Sequence, residues 1–116
     1  MIRKREEQPT ETRSNMRGGA GDVVFRSLLT GEEEMNGKGR LYSVLTLPAG
    51  GSIGYHVHEG ESETFYVLKG QGEFDDNGHK RQIEQGDVLQ TPNNGGHSIA
   101  NTGKEPLELM ALILYV

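Results

Sequence analysis

The chain has 116 residues and a formal net charge of -5, a length that accommodates one domain and excludes two packed ones. It contains no cysteine, so disulfides and thiolate metal ligands are excluded, and a reducing cytoplasm is the expected compartment. Residues 1–17 carry five basic and three acidic side chains, which leaves the remaining residues at a net charge of -7. That acidic body lacks the basic face that nucleic acid binding requires, and we expect no nucleic acid partner.

The first 21 residues are polar and end in the glycine-rich run Gly18–Gly21. They are predicted to form an N-terminal arm, flexible or exchanged between subunits, ahead of a single domain over residues 22–116. No apolar stretch follows the basic residues at the start, and the longest apolar run, 109–116, is too short to cross a bilayer. We therefore expect neither export by a signal peptide nor a membrane anchor.

Nine short β-like runs follow the arm, separated by Gly, Pro, Asn or Asp. The predicted strands are 22–29, 41–47, 55–58, 63–69, 72–74, 80–84, 88–91, 97–100 and 107–115. Only 31–37 can hold a helical turn. The Asn77-Gly78 pair favours a two-residue hairpin turn, so the strands beside it are expected to be antiparallel. This pattern predicts an all-β fold, a sandwich or a barrel.

The last predicted strand is apolar on both faces after Glu108. Strand alternation would expose half of it, so its second face needs a cover. We expect a homodimer to supply that cover through this strand and the N-terminal arm; the alternative is a monomer that folds the arm over itself.

Three of the four histidines are placed where they can converge. His56 and His58 lie two apart on one predicted strand, which projects both rings from one face with about 6.6–7 Å between their Cα atoms. Glu63 begins the next strand, and His97 lies on a later strand that faces the same interior if the barrel closes. His79, beside the hairpin turn, is interpreted as a surface histidine and not a ligand.

Two spaced patterns surround these residues. The first is Gly50, five residues, His56, one, His58, four, Glu63, six, Gly70; the second is Gly86, five, Pro92, four, His97, three, Asn101. Together they resemble the two motifs of the cupin superfamily in nine of ten positions, over about residues 40–116. The exception is Asn94, where the second motif has glycine; asparagine is the residue that best replaces glycine in left-handed backbone.

The resemblance implies a single-domain double-stranded β-helix, the jelly-roll cupin barrel, with one divalent ion held by His56, His58, Glu63 and His97. Three imidazoles and a carboxylate suit Mn, Fe, Ni or Zn, as well as Co and Cu, and the ligand set does not choose among them. If the ion is six-coordinate, two adjacent positions stay open for water or a bidentate ligand.

The expected ligand is a small anion. A divalent ion with one carboxylate leaves the site at +1, which suits an oxalate-like, keto or hydroxy acid. Phosphorylated sugars fit less well, because the motif region holds only Lys69, Lys80 and Arg81 as cations.

Alternation from Glu63 turns Phe65 and Val67 toward the ion as an apolar floor. Further candidates for the pocket wall are Tyr42, Tyr55, Arg40 and either Gln90 or Thr91, which face opposite ways.

Two functions stay open at this point. The favoured one is a small metalloenzyme that acts on an oxygenated metabolite by Lewis-acid or O2-dependent chemistry. Its catalytic residues are unknown, since Glu59 and Glu61 are equally well explained as solvated turn residues. The alternative is a non-catalytic module that binds or senses a small ligand or metal.

Overall fold

The computed structural model describes residues 1–116, and its regular structure is almost entirely antiparallel β-strand, which confirms the predicted all-β class. The strands are β1 (Thr10–Ser14), β2 (Asp22–Leu29), β3 (Gly39–Leu47), β4 (Ser52–Val57), β5 (Glu61–Lys69), β6 (Gln71–Asp76), β7 (His79–Glu84), β8 (Val88–Thr91), β9 (Gly96–Ala100) and β10 (Leu107–Tyr115). Two 3-10 turns, Arg5–Glu7 and Met16–Gly18, and one helix, α1 (Gly31–Glu34), complete the chain. No helix has the length and hydropathy needed to cross a membrane.

The strands form two sheets that pack face to face as a jelly-roll barrel. One sheet has six strands in the order β1-β2-β3-β10-β5-β8, and the other has four in the order β4-β9-β6-β7. Their inner faces enclose a core of 14 apolar residues. β10 lies between β3 and β5, and its odd-numbered side chains from Leu107 to Ile113 are at most 3% exposed. Its even-numbered side chains lie on the outer face of the sheet.

All nine predicted strands are present, with boundaries within three residues of the prediction. The strand positions could be predicted from local patterns, because alternating side chains mark each strand and turn residues mark its ends. The hairpin turn is confirmed: Asn77 and Gly78 have φ of 51° and 98° between β6 and β7. Asn94 has a φ of 70°, so asparagine adopts the left-handed backbone expected where the motif has glycine.

The N-terminal arm contains a tenth strand that the sequence did not predict. β1 pairs with β2 along its whole length and forms one edge of the six-stranded sheet, although all five of its residues are exposed. Arg3 fastens the residues before β1, since its guanidinium donates two hydrogen bonds to Glu34 and one to the carbonyl of Leu28. Exchange of this arm between subunits stays a prediction.

Candidate metal centre

The four predicted ligands come together from both sheets. His56 on β4 and His97 on β9 are direct cross-strand partners. The pairing shifts register between Ile53 and His56, and such a bulge re-aims the side chains that follow it. His58 comes directly after β4, and Glu63 is on β5 in the opposite sheet. One potential ligand atom from each of the four residues lies within 4.8 Å of the others.

The spacing of these atoms fits a single ion. His97 Nε2 lies 3.2 Å from Nε2 of both His56 and His58. Glu63 Oε1 lies 3.0 Å from Nε2 of His58 and 3.1 Å from Nε2 of His97. Ligand atoms about 2.1 Å from one ion and at right angles to each other are about 3.0 Å apart. The donor set therefore matches a transition-metal site in both chemistry and dimensions.

The other nitrogen of each imidazole has its own partner. Nδ1 of His56 lies 2.8 Å from the carbonyl oxygen of Gly54, which can only accept. Nδ1 of His58 lies 2.7 Å from Oε1 of Glu61, and Nδ1 of His97 lies 2.6 Å from Oγ1 of Thr91. The Gly54 carbonyl and the Glu61 carboxylate accept from Nδ1–H of His56 and His58, and the Thr91 hydroxyl is able to accept from His97. In that tautomer the three Nε2 lone pairs face each other and a carboxylate oxygen. A bound cation would satisfy all four, and partners on the far ring nitrogen are usual for metal-bound histidines.

The same contacts set the titration of the metal-free site. Hydrogen bonding to Glu63 is the main cause of a raised pKa at His58, and burial is the main cause of a lowered pKa at His56. Burial opposes ionisation of Glu63, but its contacts with the His58 and His97 imidazoles outweigh it and lower the pKa of that carboxyl in the metal-free site. Arg40 and His58 together hold the pKa of Glu61 at about 2, so Glu61 is ionised at neutral pH.

Comparison with known proteins agrees with this architecture. The family model described as Cupin domain matches residues 43–113, which contain both histidine motifs. This chain belongs to the cupin family. The cupin fold is also that of its structural neighbours, among them the cupin domain of Schizosaccharomyces pombe Cnp3, with a TM-score of 0.73, 21% identity, and coverage of 91% of this chain and 69% of that one.

A curated relative and a solved structure, both similar to this chain, come from Thermotoga maritima. The cupin is 46% identical over 114 residues to a protein from that organism called oxalate-binding protein, covering 98% of this chain and 93% of the relative. A crystal structure from the same organism, described as a predicted oxalate decarboxylase, superposes with a TM-score of 0.95 at 45% identity and full coverage of both chains. These names apply to the relatives.

A cavity of about 100 Å³ opens beside the histidines of the cupin. Its wall includes the four predicted ligands, Phe65, Ile113 and three arginines, Arg13, Arg17 and Arg40. The Phe65 ring stacks on the His97 imidazole with 5.5 Å between centroids and lines the cavity as predicted. Val67, the other residue of the predicted apolar floor, lies in the core and does not line the cavity. Two larger clefts, of about 260 and 350 Å³, contain none of the four ligands.

The remaining candidates divide between the cavity and the outer surface. Thr91 is buried and contacts His97, whereas Gln90 is exposed. Tyr55 is exposed, and neither it nor Tyr42 lines the cavity. His79 is exposed at the start of β7 and lies outside the histidine cluster.

The sequence left the role of Glu61 open and missed Arg13 and Arg17. The side chain of Glu61 is 12% exposed and holds both His58 and Arg40, so it is not a solvated turn residue. Arg13 and Arg17 belong to the arm, which carried no signal for a site. A clue was available in composition: five of the chain's 12 basic residues fall within residues 1–17.

Proposed function

We propose that this cupin holds one divalent transition metal, Mn, Fe, Ni or Zn, through His56, His58, Glu63 and His97, and that it binds a small dicarboxylate such as oxalate there. The orientation of the imidazoles carries the proposal, because outward Nδ1 partners leave the three Nε2 lone pairs directed at one point. When bound, the metal supplies Lewis acidity toward carboxylate oxygens. The name of the Thermotoga maritima relative supports the choice of oxalate as the first ligand to test.

Charge and size favour a short dianion. Arg17 in the cavity wall has no ion-pair partner and adds positive charge beside the site, which relaxes the preference for a monoanion that the metal and Glu63 alone would give. The volume of about 100 Å³ is far below the roughly 300–1,000 Å³ of pockets that take drug-sized molecules. A ligand of two or three carbons therefore suits this site better than a sugar phosphate.

Binding without turnover is the better supported role. The only carboxylate in the cavity wall is Glu63, and the only imidazoles are the three predicted ligands, so no further group of ordinary acid–base chemistry faces the ligand. A metal-dependent reaction is the second candidate, supported by the description of the neighbouring structure as a predicted oxalate decarboxylase.

The proposal is tested by metal analysis and calorimetry. Protein loaded in turn with Mn²⁺, Fe²⁺, Ni²⁺ and Zn²⁺ should hold one ion per chain and bind oxalate, whereas metal-free protein should bind oxalate far more weakly. Failure to bind any of these metals would reject the proposal. Incubation with oxalate under air and under nitrogen, with assay of CO2 and formate, separates the two roles: no product supports binding alone, and sustained turnover supports the enzyme.

The outer face of the six-stranded sheet supports a homodimer. A row of apolar side chains crosses three adjacent strands, from Val88 through Tyr66 to Met110. Val44, the cross-strand partner of Met110, is already buried within the chain. Val88 is 64% exposed and Tyr66 is 40% exposed. Two interstrand spacings of about 4.8 Å make the row about 10 Å long, and a second copy packed against it would remove this surface from water.

A further inference from the structure

Arg17, one of the residues that line the cavity, has an unusual backbone conformation. Its φ of 54° and ψ of 32° place a non-glycine residue in the left-handed region, within the 3-10 turn Met16–Gly18. L-residues adopt this conformation at a cost, and such residues persist where surrounding contacts hold them. We therefore expect contacts with neighbouring residues to hold Arg17 in this conformation.

Two glycines hold the turn against β4, the strand that carries His56. A Cβ atom on Gly54 would lie 2.0 Å from the carbonyl oxygen of Arg17. A Cβ atom on Gly19 would lie 2.3 Å from the carbonyl oxygen of Ser52. The arm is therefore in direct backbone contact with β4, and the position of Arg17 is tied to the position of the histidines.

Arg17 also differs from its neighbours in its ion pairs. Arg13 pairs with Glu11 and lies 4.3 Å above the ring of Phe25, and Arg40 makes a two-point ion pair with Glu61. None of the ion pairs in the chain involves Arg17. Among the three cavity arginines it alone has no carboxylate partner within the chain.

Charge balance shows what this guanidinium can do. A divalent ion with ionised Glu63 gives the site a charge of about +1, which one negative charge neutralises. A bound dianion has one negative charge more than the site needs for neutrality. A guanidinium can pair with that charge by donating two parallel N–H groups to the outer oxygens of a carboxylate. A monoanion of the same size has no second negative charge for the guanidinium to bind.

We propose that Arg17 is a specificity-determining residue that makes the metal site prefer dianionic over monoanionic acids of the same length. This inference rests on the proposed function. It assigns the N-terminal arm a role in ligand choice, in addition to its structural role as a sheet edge.

The test compares oxalate with glycolate, two-carbon acids that both chelate metals and differ by one negative charge. Their affinities are measured by calorimetry on full-length Mn²⁺-loaded protein for wild type, Arg17→Gln, Arg17→Lys and the control Arg81→Gln. Arg81 is an exposed arginine on β7 outside the cavity, so its variant makes the same charge change elsewhere. Metal content is measured on every sample.

Arg17→Gln should weaken oxalate binding by about tenfold or more and glycolate binding by less than about threefold, with metal content unchanged. Arg17→Lys should keep part of the preference, and Arg81→Gln should match wild type. Equal losses for both acids, or no loss for either, would overturn the inference while leaving the proposed function standing. Wild-type protein that binds metal but neither acid would overturn both.

Discussion

Glu61 accepts a hydrogen bond from Nδ1 of His58 at 2.7 Å, and the same carboxylate is held by the guanidinium of Arg40. The carboxylate fixes the ring so that Nε2 faces the other ligands, and it makes the imidazole a stronger donor to a cation. Arg40 lines the cavity, so this chain of contacts joins the predicted metal ligand His58 to the cavity wall.

Glu61→Ala should therefore weaken metal binding by about 10- to 100-fold without abolishing it. Competition with a metal-binding dye measures the affinity. Glu59→Ala is the matched control, because Glu59 is an exposed acidic residue two positions before Glu61. Equal affinities for the two variants would contradict the positioning role of Glu61.

Removal of a ligand should have a larger effect. His58→Ala and His97→Ala each delete one of the four converging donors, and both should lower metal affinity by orders of magnitude. His79→Ala should retain the wild-type metal content, since His79 lies outside the cluster. Elemental analysis of the purified proteins decides this, and loss of metal from His79→Ala as complete as from His58→Ala would contradict the assigned ligand set.

Metal binding should weaken as the pH falls toward and below about 6. Glu63 raises the pKa of His58, so in the metal-free site a proton occupies this imidazole from a higher pH than in a free histidine. Burial lowers the pKa of His56, which is protonated only at lower pH. Protons thus compete with the metal over a range of pH that begins at His58. Titration of bound metal against pH should show this loss on acidification, and affinity independent of pH between 5 and 8 would contradict it.

Leu112→Glu should convert the expected homodimer to a monomer. Leu112 lies on the outer face of the six-stranded sheet, where a charge in a subunit interface would lack a partner. Val57→Glu, an exposed apolar position on the four-stranded sheet, is the control and should leave the oligomeric mass unchanged. Light scattering gives the mass. Ile113 does not serve this test, because it is 3% exposed and faces the interior.

Asn101→Ala should destabilise the fold by about 1–3 kcal/mol, because a buried amide is removed from several partners. Its side chain donates to the carbonyls of Leu47 and Glu105 and accepts from the backbone of Gly103. Asn93 is exposed and accepts one hydrogen bond, from Gly60, so Asn93→Ala should cost less. Denaturant unfolding measures both, and equal stabilities of the two variants would contradict the role of Asn101.

The sequence by itself determined the strands from β2 to β10, the hairpin turn and the four converging residues. Each of these features depends on neighbouring residues or on the number of residues between motif positions in the sequence. Alternation marks a strand, Asn77-Gly78 marks its own turn, and the intervals around His56, His58, Glu63 and His97 match the motifs of the family. None of these inferences required knowledge of which distant segments meet.

Only the tertiary structure decided which other residues surround the site. β1 has no buried face, so it lacks an apolar pattern and is defined only by its pairing with β2. Arg17 reaches the cavity because two glycines 35 residues apart, Gly19 and Gly54, let the backbones of the arm and β4 touch. Such a contact has no local signature, since it depends on the packing of segments that are remote in the chain.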